Sequence, residues 1–272
     1  MINIKNVTFG YTPSVRVLKD FSLRFEQGGV YGLLGKNGTG KSTLLYLITG
    51  LLRPQQGVVE VDGMDSTKRQ AEMLAELFIV PEEYDLPAIP LRKYVQAMKP
   101  FYPRFSEELL EMCLSEFEMP MDVNLGNLSM GQKKKVYICI ALAANTRYLL
   151  LDEPTNGLDI LSKSLFRKVV ITGMSEDKTI IISTHQVHDV EQLLDHVLFL
   201  SERELLMDAD MSDLTSRYVF EVRMPGELDD SVIYAEPSLQ GNMVMARRQE
   251  GQSETLVNLE LLFNAVTKGL VK

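Results

Sequence analysis

Cysteine is scarce in this chain, with only Cys113 and Cys139 among its 272 residues. This count excludes a small scaffold that is held together by several disulfides. Both cysteines lie in apolar stretches with helical character, so we expect buried free thiols. Such thiols are typical of a protein that works in a reducing compartment.

Long apolar runs are missing too. The longest, such as 148–151 and 180–182, are short and typical of strands, and they fall well below the ~20 residues that a membrane-spanning helix needs. The opening residues MINIKNVTF alternate like a strand and do not resemble a signal peptide. If the protein acts at a membrane, we therefore expect another component to hold it there.

An excess of positive charge is also absent. Lys and Arg total 28 against 37 Asp and Glu, which gives a formal net charge of −9. Such a chain is a poor general binder of nucleic acid or anionic lipid, and we expect no nucleic-acid partner. The 45% hydrophobic and 24% charged residues are ordinary for a globular domain and exclude intrinsic disorder.

Strand and helix patterns alternate over most of residues 1–205, which predicts an α/β fold with a largely parallel sheet. Strands are predicted at 2–9, 21–25, 30–34, 57–61, 77–81, 148–152, 178–183 and 196–200, and helices at 41–49, 91–98, 106–118, 131–144, 160–172 and 186–194. Helices interrupt the alternation at 84–145, which indicates an inserted helical subdomain. Residues 206–272 alternate weakly and close with an amphipathic helix, which indicates a small α+β accessory region at the C-terminal side.

A phosphate-binding loop is predicted at 35–43, where GKNGTGKST fulfils the pattern G-x-x-x-x-G-K-S between a strand and a helix. Glycines let backbone N–H groups curl around phosphate oxygens, and the following helix directs its positive end at them. Lys41 can reach the β- and γ-phosphates of ATP, and Ser42 can ligate Mg²⁺. The candidate ATP-binding residues of the loop are Gly35, Asn37, Gly38, Thr39, Gly40, Lys41, Ser42 and Thr43.

Two carboxylates follow the buried strand in YLLLDEP, at 148–154. Asp152 ends the strand at the edge of the sheet where α/β folds bind ligands, and it is the candidate Mg²⁺ partner. Glu153 stands one residue further on, where it can orient or deprotonate an attacking water.

Three further motifs follow in order: LSMGQ at 128–132, TNGLD at 155–159 and STH at 183–185. With the two motifs above, they make the chain resemble the nucleotide-binding subunit of ABC transporters, of the exporter-like type, over about residues 1–205. The resemblance implies a P-loop NTPase core with a mixed sheet and an antiparallel β edge. It also implies an ATPase in which two subunits face head to tail and enclose two ATP molecules.

The resemblance also implies roles for particular residues. Lys41, Glu153 and His185 would be catalytic, with His185 contacting the γ-phosphate. Ser129, Gly131 and Gln132 of the signature motif would contact the ATP held by the other subunit, and Asp159 would support the opposing phosphate-binding loop. Tyr11 would stack on adenine, with Phe9 as the alternative. Of Lys133, Lys134 and Lys135, at most one can support the phosphate field, because successive helical residues point in different directions.

The sequence departs from the family pattern at two positions. Glu82 stands where the family's lid loop has glutamine; its carboxylate is still an oxygen ligand for Mg²⁺, but it adds negative charge beside a polyphosphate. Met130 replaces the first glycine of the signature motif, and its side chain points either away from the phosphate or into the site. An inward side chain would favour pairing with a different, intact subunit.

We therefore expect an ATP-hydrolysing subunit that powers transport, with export favoured by the C-terminal VNLELLFNAV. Its partners would be a separate transmembrane permease and a second ATPase subunit in a homodimer or heterodimer. Residues 83–102 are either the groove on which the permease docks or a surface loop packed on its own helices. The protein would lie at the inner face of the cell membrane. Two alternatives stay open: a mechanical or regulatory ABC ATPase that carries no cargo, and a nucleotide-binding switch with little hydrolysis.

Overall fold

The computed structural model describes residues 1–12, 15–202 and 204–271. Within these ranges the strands are β1 Ile2–Phe9, β2 Leu18–Phe25, β3 Gly29–Leu34, β4 Gln56–Val61, β5 Met64–Asp65, β6 Leu77–Val80, β7 Tyr148–Asp152, β8 Thr179–Thr184, β9 His196–Ser201, β10 Glu204–Asp210, β11 Tyr218–Arg223, β12 Val232–Ser238 and β13 Gly241–Arg247. The α-helices of the same ranges are α1 Lys41–Ile48, α2 Ala71–Ala75, α3 Leu91–Met98, α4 Glu107–Glu116, α5 Met130–Ala143, α6 Ile160–Thr172, α7 Met211–Arg217 and α8 Leu259–Thr267.

A central sheet organises the molecule, with the strand order β10-β9-β3-β8-β7-β6 in the described part of the chain. All neighbours in it are parallel except β10, which runs antiparallel to β9 at the edge. Strands β7 and β8 are buried along their whole length, because helices or a second sheet cover both faces. The expected mixed α/β fold is confirmed, and the carboxyl ends of β3, β8 and β7 meet at one edge.

Successive side chains of each central strand enter different hydrophobic clusters. In β7, Leu149 and Leu151 join the cluster with α4, α5 and α6, whereas Tyr148 and Leu150 join the cluster with α1. A four-stranded antiparallel sheet, in the order β2-β1-β4-β5 among the described strands, covers α1 from the outside. The core is therefore two layers, one on each face of the central sheet.

The helical segment between β6 and β7 contains α3, α4 and α5. Helix α4 begins as predicted, because the Ser106 hydroxyl accepts the Leu109 N–H at 3.0 Å and acidic residues occupy the first turn. Helices α4 and α5 pack side by side and bury Cys113 and Cys139 between them as free thiols, as expected.

The helix predicted at 186–194 is wrong. The structure has two short 3₁₀ turns instead, Val187–Asp189 and Glu191–Leu193. Val190 separates them with a φ of −123°, outside the helical range, and Arg167 of α6 donates to the Asp189 carbonyl at 3.2 Å. Tertiary contacts thus outweigh the modest helix propensity of the segment.

The C-terminal region holds a three-stranded antiparallel sheet, β11-β13-β12, and α8. Strand β10, at the start of this region, still pairs with the central sheet up to Asp210. The ring of Phe263 in α8 meets the ring of Phe199 in β9 edge to face, with centroids 5.2 Å apart. Across the described residues, none of the helices is both long enough and apolar enough to cross a membrane.

Candidate functional site

The loop between β3 and α1 has the backbone that the phosphate-binding motif requires. Gly40 ends the loop with a φ of +101°, in the left-handed region, and a Cβ there would lie 2.9 Å from Val17. Gly38, with a φ of +83°, has open space where a side chain would be. Helix α1 therefore starts directly behind the loop, with its first N–H groups directed at it.

Lys41 is buried at the base of the loop. Its ammonium donates to the carbonyls of Gly35 at 2.9 Å and Lys36 at 3.1 Å, and it lies 3.8 Å from Glu153 Oε1. Burial lowers the pKa of Lys41, while Glu153 and two further carboxylates oppose the shift. The site thus holds a desolvated cation beside a carboxylate at the edge of the sheet.

Asp152 ends β7 inside the site and is 1% exposed. Its Oδ1 accepts a hydrogen bond from the Ser183 hydroxyl of β8, and the Ser42 hydroxyl is a second partner of the carboxylate. Burial raises the pKa of Asp152, which these hydrogen bonds partly offset. Its Oδ2 is buried and finds no hydrogen-bond partner among the described residues. A hard cation beside Ser42 would satisfy that oxygen, so the residues present fit Mg²⁺.

Glu153 has a φ of +44°, a left-handed conformation that is unusual for a residue with a side chain. Its Oε1 accepts the backbone N–H of His185 at 3.0 Å and lies 2.8 Å from Nδ1 of the same residue. Its Oε2 accepts the Thr184 hydroxyl at 2.9 Å. The turn after β7 and the end of β8 therefore hold the carboxylate and the histidine together.

An open cavity of about 370 Å³ lies beside these groups. Its lining is Tyr11, Val17, Asn37, Gly38, Gly40, Lys41, Ser42, Thr43, Glu82 and Glu153. Eight of the sequence-predicted ATP-site residues and the carboxylate Glu153 thus meet at one place. Gly35 and His185 line an adjoining cavity together with Asn37, and Thr39 donates to the Lys36 carbonyl at 2.9 Å within the loop.

The two aromatic candidates differ in exposure. Tyr11 is 61% exposed, whereas Phe9 is 7% exposed and belongs to the hydrophobic core. The Tyr11 hydroxyl lies 3.0 Å from Thr43 Oγ1, and its ring meets Phe9 edge to face. Tyr11 is therefore the aromatic face available at the cavity.

The signature residues lie outside this cavity. Ser129 caps α5: its Oγ accepts the Gln132 N–H at 3.3 Å, and Gln132 Oε1 accepts the Ser129 N–H at 3.0 Å. Asp159 caps α6 by accepting the Ser162 N–H at 2.7 Å. A Cβ on Gly131 would lie 3.4 Å from the Gly157 carbonyl, so the starts of the two helices are neighbours.

Met130 is 73% exposed at the start of α5. Its side chain therefore points away from the body of its own subunit. The Ser129 hydroxyl accepts one hydrogen bond within the cap and keeps its own O–H as a donor.

Sequence reasoning missed two contributors to the site, Lys134 and Asn156. Lys134 is buried, and its Nζ donates to the carbonyls of Glu153 at 3.1 Å and Asn156 at 2.9 Å. Asn156 Nδ2 in turn donates to Glu82 Oε1 at 2.9 Å. The available signal was spacing, because Lys134, Ile138 and Leu142 are four residues apart and form one buried helical stripe.

The expected docking segment, 83–102, is buried in part. Leu86 and Leu91 are buried in the core, so they cannot line a groove. The end of the segment does line a cavity of about 710 Å³ between the end of α3 and the region of α2, whose lining is Thr49, Leu51, Arg69, Ala71, Leu74, Ala75, Leu77, Phe78, Ile79, Met98, Pro100, Phe101, Tyr102, Pro103 and Tyr137.

Comparison with known proteins identifies the family. A sequence model described as "ABC transporter" matches residues 18–156, slightly more than half of the chain. The chain belongs to the ABC transporter family. Proteins of this family that bind ATP are ATPases coupled to transport, so this ABC protein is an ATP-binding ATPase subunit.

Curated relatives agree. The chain is 34% identical to the ABC transporter ATP-binding protein NatA of Bacillus subtilis, over 74% of this chain and 84% of that protein. It is 28% identical to YtrB of the same organism, with 82% and 77% covered, and 30% identical to the lantibiotic transport ATP-binding protein SrtF of Streptococcus pyogenes, with 77% and 91% covered.

Solved structures share the fold. An ATP-binding subunit of an ABC transporter aligns with a TM-score of 0.70 at 25% identity, covering 79% of this chain and 91% of that chain. A bacterial Atm1-family ABC exporter with ATP bound aligns with a TM-score of 0.67 at 23% identity, covering 78% of this chain and 39% of the exporter. The second likeness concerns the fold alone.

Proposed function

We propose that this ABC protein hydrolyses Mg²⁺-ATP in a head-to-tail dimer and thereby drives export through a separate transmembrane permease. The observation that carries the proposal is the meeting of Lys41, Asp152, Glu153 and His185 at the carboxyl edge of the central sheet. Export, rather than import, is supported by the C-terminal VNLELLFNAV, which resembles the extensions of exporter-type subunits. The relative SrtF is named a lantibiotic transport ATP-binding protein.

The phosphate end of ATP is bound by the loop at 35–43, with Lys41 turning from the loop carbonyls to the β- and γ-phosphates. Ser42 and the buried Oδ2 of Asp152 would hold Mg²⁺, which would neutralise charge on the phosphate oxygens. Tyr11 supplies an aromatic face for adenine.

Hydrolysis depends on Glu153 and His185. The Glu153 carboxylate is held by the Thr184 hydroxyl and the His185 N–H, so it is already oriented towards the cavity. It accepts the proton of the attacking water, and His185 donates to the γ-phosphate.

The second subunit completes the site. The exposed starts of α5 and α6 present Ser129, Gly131, Gln132 and Asp159 on the surface, where a partner's nucleotide can meet them. The free O–H of Ser129 and the first N–H groups of α5 suit a phosphate oxygen. We propose that these residues close over the ATP of the other subunit.

The permease would dock in the groove that ends at Phe101, which is 70% exposed. The groove is mainly apolar and lies beside the helical segment, so closure of the dimer would move it. This contact would place the protein at the inner face of the membrane. The regions 1–205, 84–145 and 206–272 would then serve as ATPase domain, helical subdomain and accessory region.

Trapping the dimer tests the proposal. Glu153→Gln removes the proton acceptor, so we expect the variant to form a dimer with Mg²⁺-ATP and to stay monomeric without it, as measured by light scattering. Glu153→Gln combined with Lys41→Ala is the control, because it should bind ATP poorly and remain monomeric. A Glu153→Gln chain that binds ATP and stays monomeric would refute the homodimer.

A further inference from the structure

Lys134 is a buried lysine within a run of three. It is 5% exposed, whereas its neighbours Lys133 and Lys135 are partly exposed. Its ammonium reaches the carbonyls of Glu153 and Asn156, the two ends of the turn after β7. Burying a charge is costly unless it is paired or hydrogen-bonded, so these contacts account for its place.

The turn that Lys134 holds is unusual in its backbone. The Asn156 N–H closes it by donating to the Glu153 carbonyl at 3.2 Å, and Glu153 has the left-handed φ of +44°. Such a conformation persists in an L-residue when the surrounding structure holds it in place. The ammonium adds a charge-assisted hydrogen bond to the carbonyl of that same residue.

Asn156 extends the contacts of this turn to two other loops. Its side chain donates to Glu82 Oε1 at 2.9 Å and accepts from Gln186 Nε2 at 2.9 Å. Fixing the backbone of Asn156 therefore also fixes the amide that holds Glu82, the residue that departs from the family pattern. The arrangement joins the ends of β6, β7 and β8 at the cavity.

Lys134 also belongs to the first turns of α5, whose cap is Ser129. We propose that Lys134 is a positioning residue for ATP hydrolysis: its ammonium fixes the turn that carries Glu153 and ties it to the helix that begins with the signature motif. The inference rests on the proposed function, because the signature serves the ATP of the second subunit. Lys134 then links Glu153, which serves the ATP of its own subunit, to the signature motif, which serves the ATP of the partner subunit.

Kinetics with the full chain test this role. We expect Lys134→Met, an unbranched apolar side chain one atom shorter than lysine, to lower kcat at least tenfold. The Kd for ATP should stay within threefold of the wild-type value, because Lys41 and the phosphate-binding loop are unchanged. Lys134→Gln, with a neutral amide on a stem one atom shorter, should lower kcat at least threefold, and Lys133→Met should leave both constants within twofold.

Two outcomes would overturn the inference. The first is a kcat of Lys134→Met equal to that of Lys133→Met. The second is a parallel loss of kcat, ATP affinity and melting temperature in Lys134→Met, which indicates a merely structural role. If Lys134→Met does not fold, Lys134→Gln decides by the same comparison of kcat with Kd. Failure of Glu153→Gln to dimerise would refute the homodimer alone, since the kinetic comparison of the lysine variants does not use that variant.

Discussion

Several charged side chains lie close together in the candidate site. Three carboxylates, those of Glu82, Asp152 and Glu153, act on the two buried ammonium groups of Lys41 and Lys134. Burial lowers the pKa of both lysines, and the three carboxylates oppose that shift. A polyphosphate entering this site adds further negative charge, so the carboxylate that is least fixed by the protein matters most for affinity.

Glu82 is that carboxylate, because it is exposed and is held through the amide of Asn156. We expect Glu82→Gln to tighten ATP binding about three- to tenfold at low Mg²⁺, since one like charge is removed beside the phosphates. Titration of ATP binding at several Mg²⁺ concentrations measures this. Glu83→Gln is the matched control, and equal affinities and Mg²⁺ requirements for the two variants would contradict the prediction.

At the scale of residues, the sequence shows which side chains are available for a site but not what each of them contacts. Tyr11 and Phe9 were both candidates until burial separated them. The run of three lysines predicted at most one cation that supports the phosphates. The acceptors of Lys134 could not be predicted, because backbone carbonyls occur at every residue. The roles of Ser129 and Asp159 as helix caps follow from residue type, whereas their contacts to a partner stay a prediction.

Among the secondary-structure elements, β9 and β10 carry a second cluster of polar side chains at the edge of the central sheet. His196 opens β9, and its two ring nitrogens contact Asp208 and Asp210 of β10, with the Tyr31 ring 5.0 Å away. Burial alone would lower the pKa of His196, but the two hydrogen-bonded carboxylates outweigh it and raise the pKa above its ordinary value. The His196 imidazole thus joins the antiparallel strand to the parallel sheet.

The contacts of His196 with Asp208 and Asp210, here called the His196 clamp, should make the stability of the protein depend on pH. A raised folded-state pKa stabilises the protein below the ordinary pKa of about 6.5, and the gain is lost as the pH rises through the raised value. We expect His196→Gln to lower the melting temperature by about 2–4 °C more at pH 5.5 than at pH 8.5, at low salt. His188→Gln, at a histidine that is 93% exposed, is the control; the same pH dependence in both variants would refute the clamp.

Element boundaries were predictable where patterns are strong. The fully buried β7 and β8 and the capped α4 lie at the expected positions. The segment 186–194 has helical composition but folds into two 3₁₀ turns, since the Asp189 carbonyl accepts from Arg167 of α6. Strand β10 was not predicted, because its alternation is acidic and half exposed at an edge.

Over the whole molecule, the hydrophobic layer on one face of the central sheet continues into the C-terminal region. Met245 of β13 and Leu259, Leu262 and Val266 of α8 belong to the same buried cluster as Phe199 and Val197 of β9. Phe263 also lines two cavities beside the phosphate-binding loop, with Lys36 and Asn37. Strand β13 and helix α8 are therefore packed on the central sheet.

The contact between Phe263 of α8 and Phe199 of β9 should contribute measurably to stability. We expect Phe263→Ala to lower the free energy of unfolding by about 2 kcal/mol, because it removes a partly buried ring and its edge-to-face contact with Phe199. Urea titration gives the value. Leu256→Ala, at a side chain that is 88% exposed, should stay within about 0.5 kcal/mol of the wild type; an equal change in both variants would argue against a shared core.

The continuous layer also has a consequence during synthesis on the ribosome. The layer with α1 can close once β9 has been made, because Leu198 and Leu200 of that strand belong to its cluster. The opposite face stays partly uncovered until α8 has left the exit tunnel, although the motifs for ATP are complete long before. For that interval we expect the newly made chain to expose apolar surface and to be prone to aggregation.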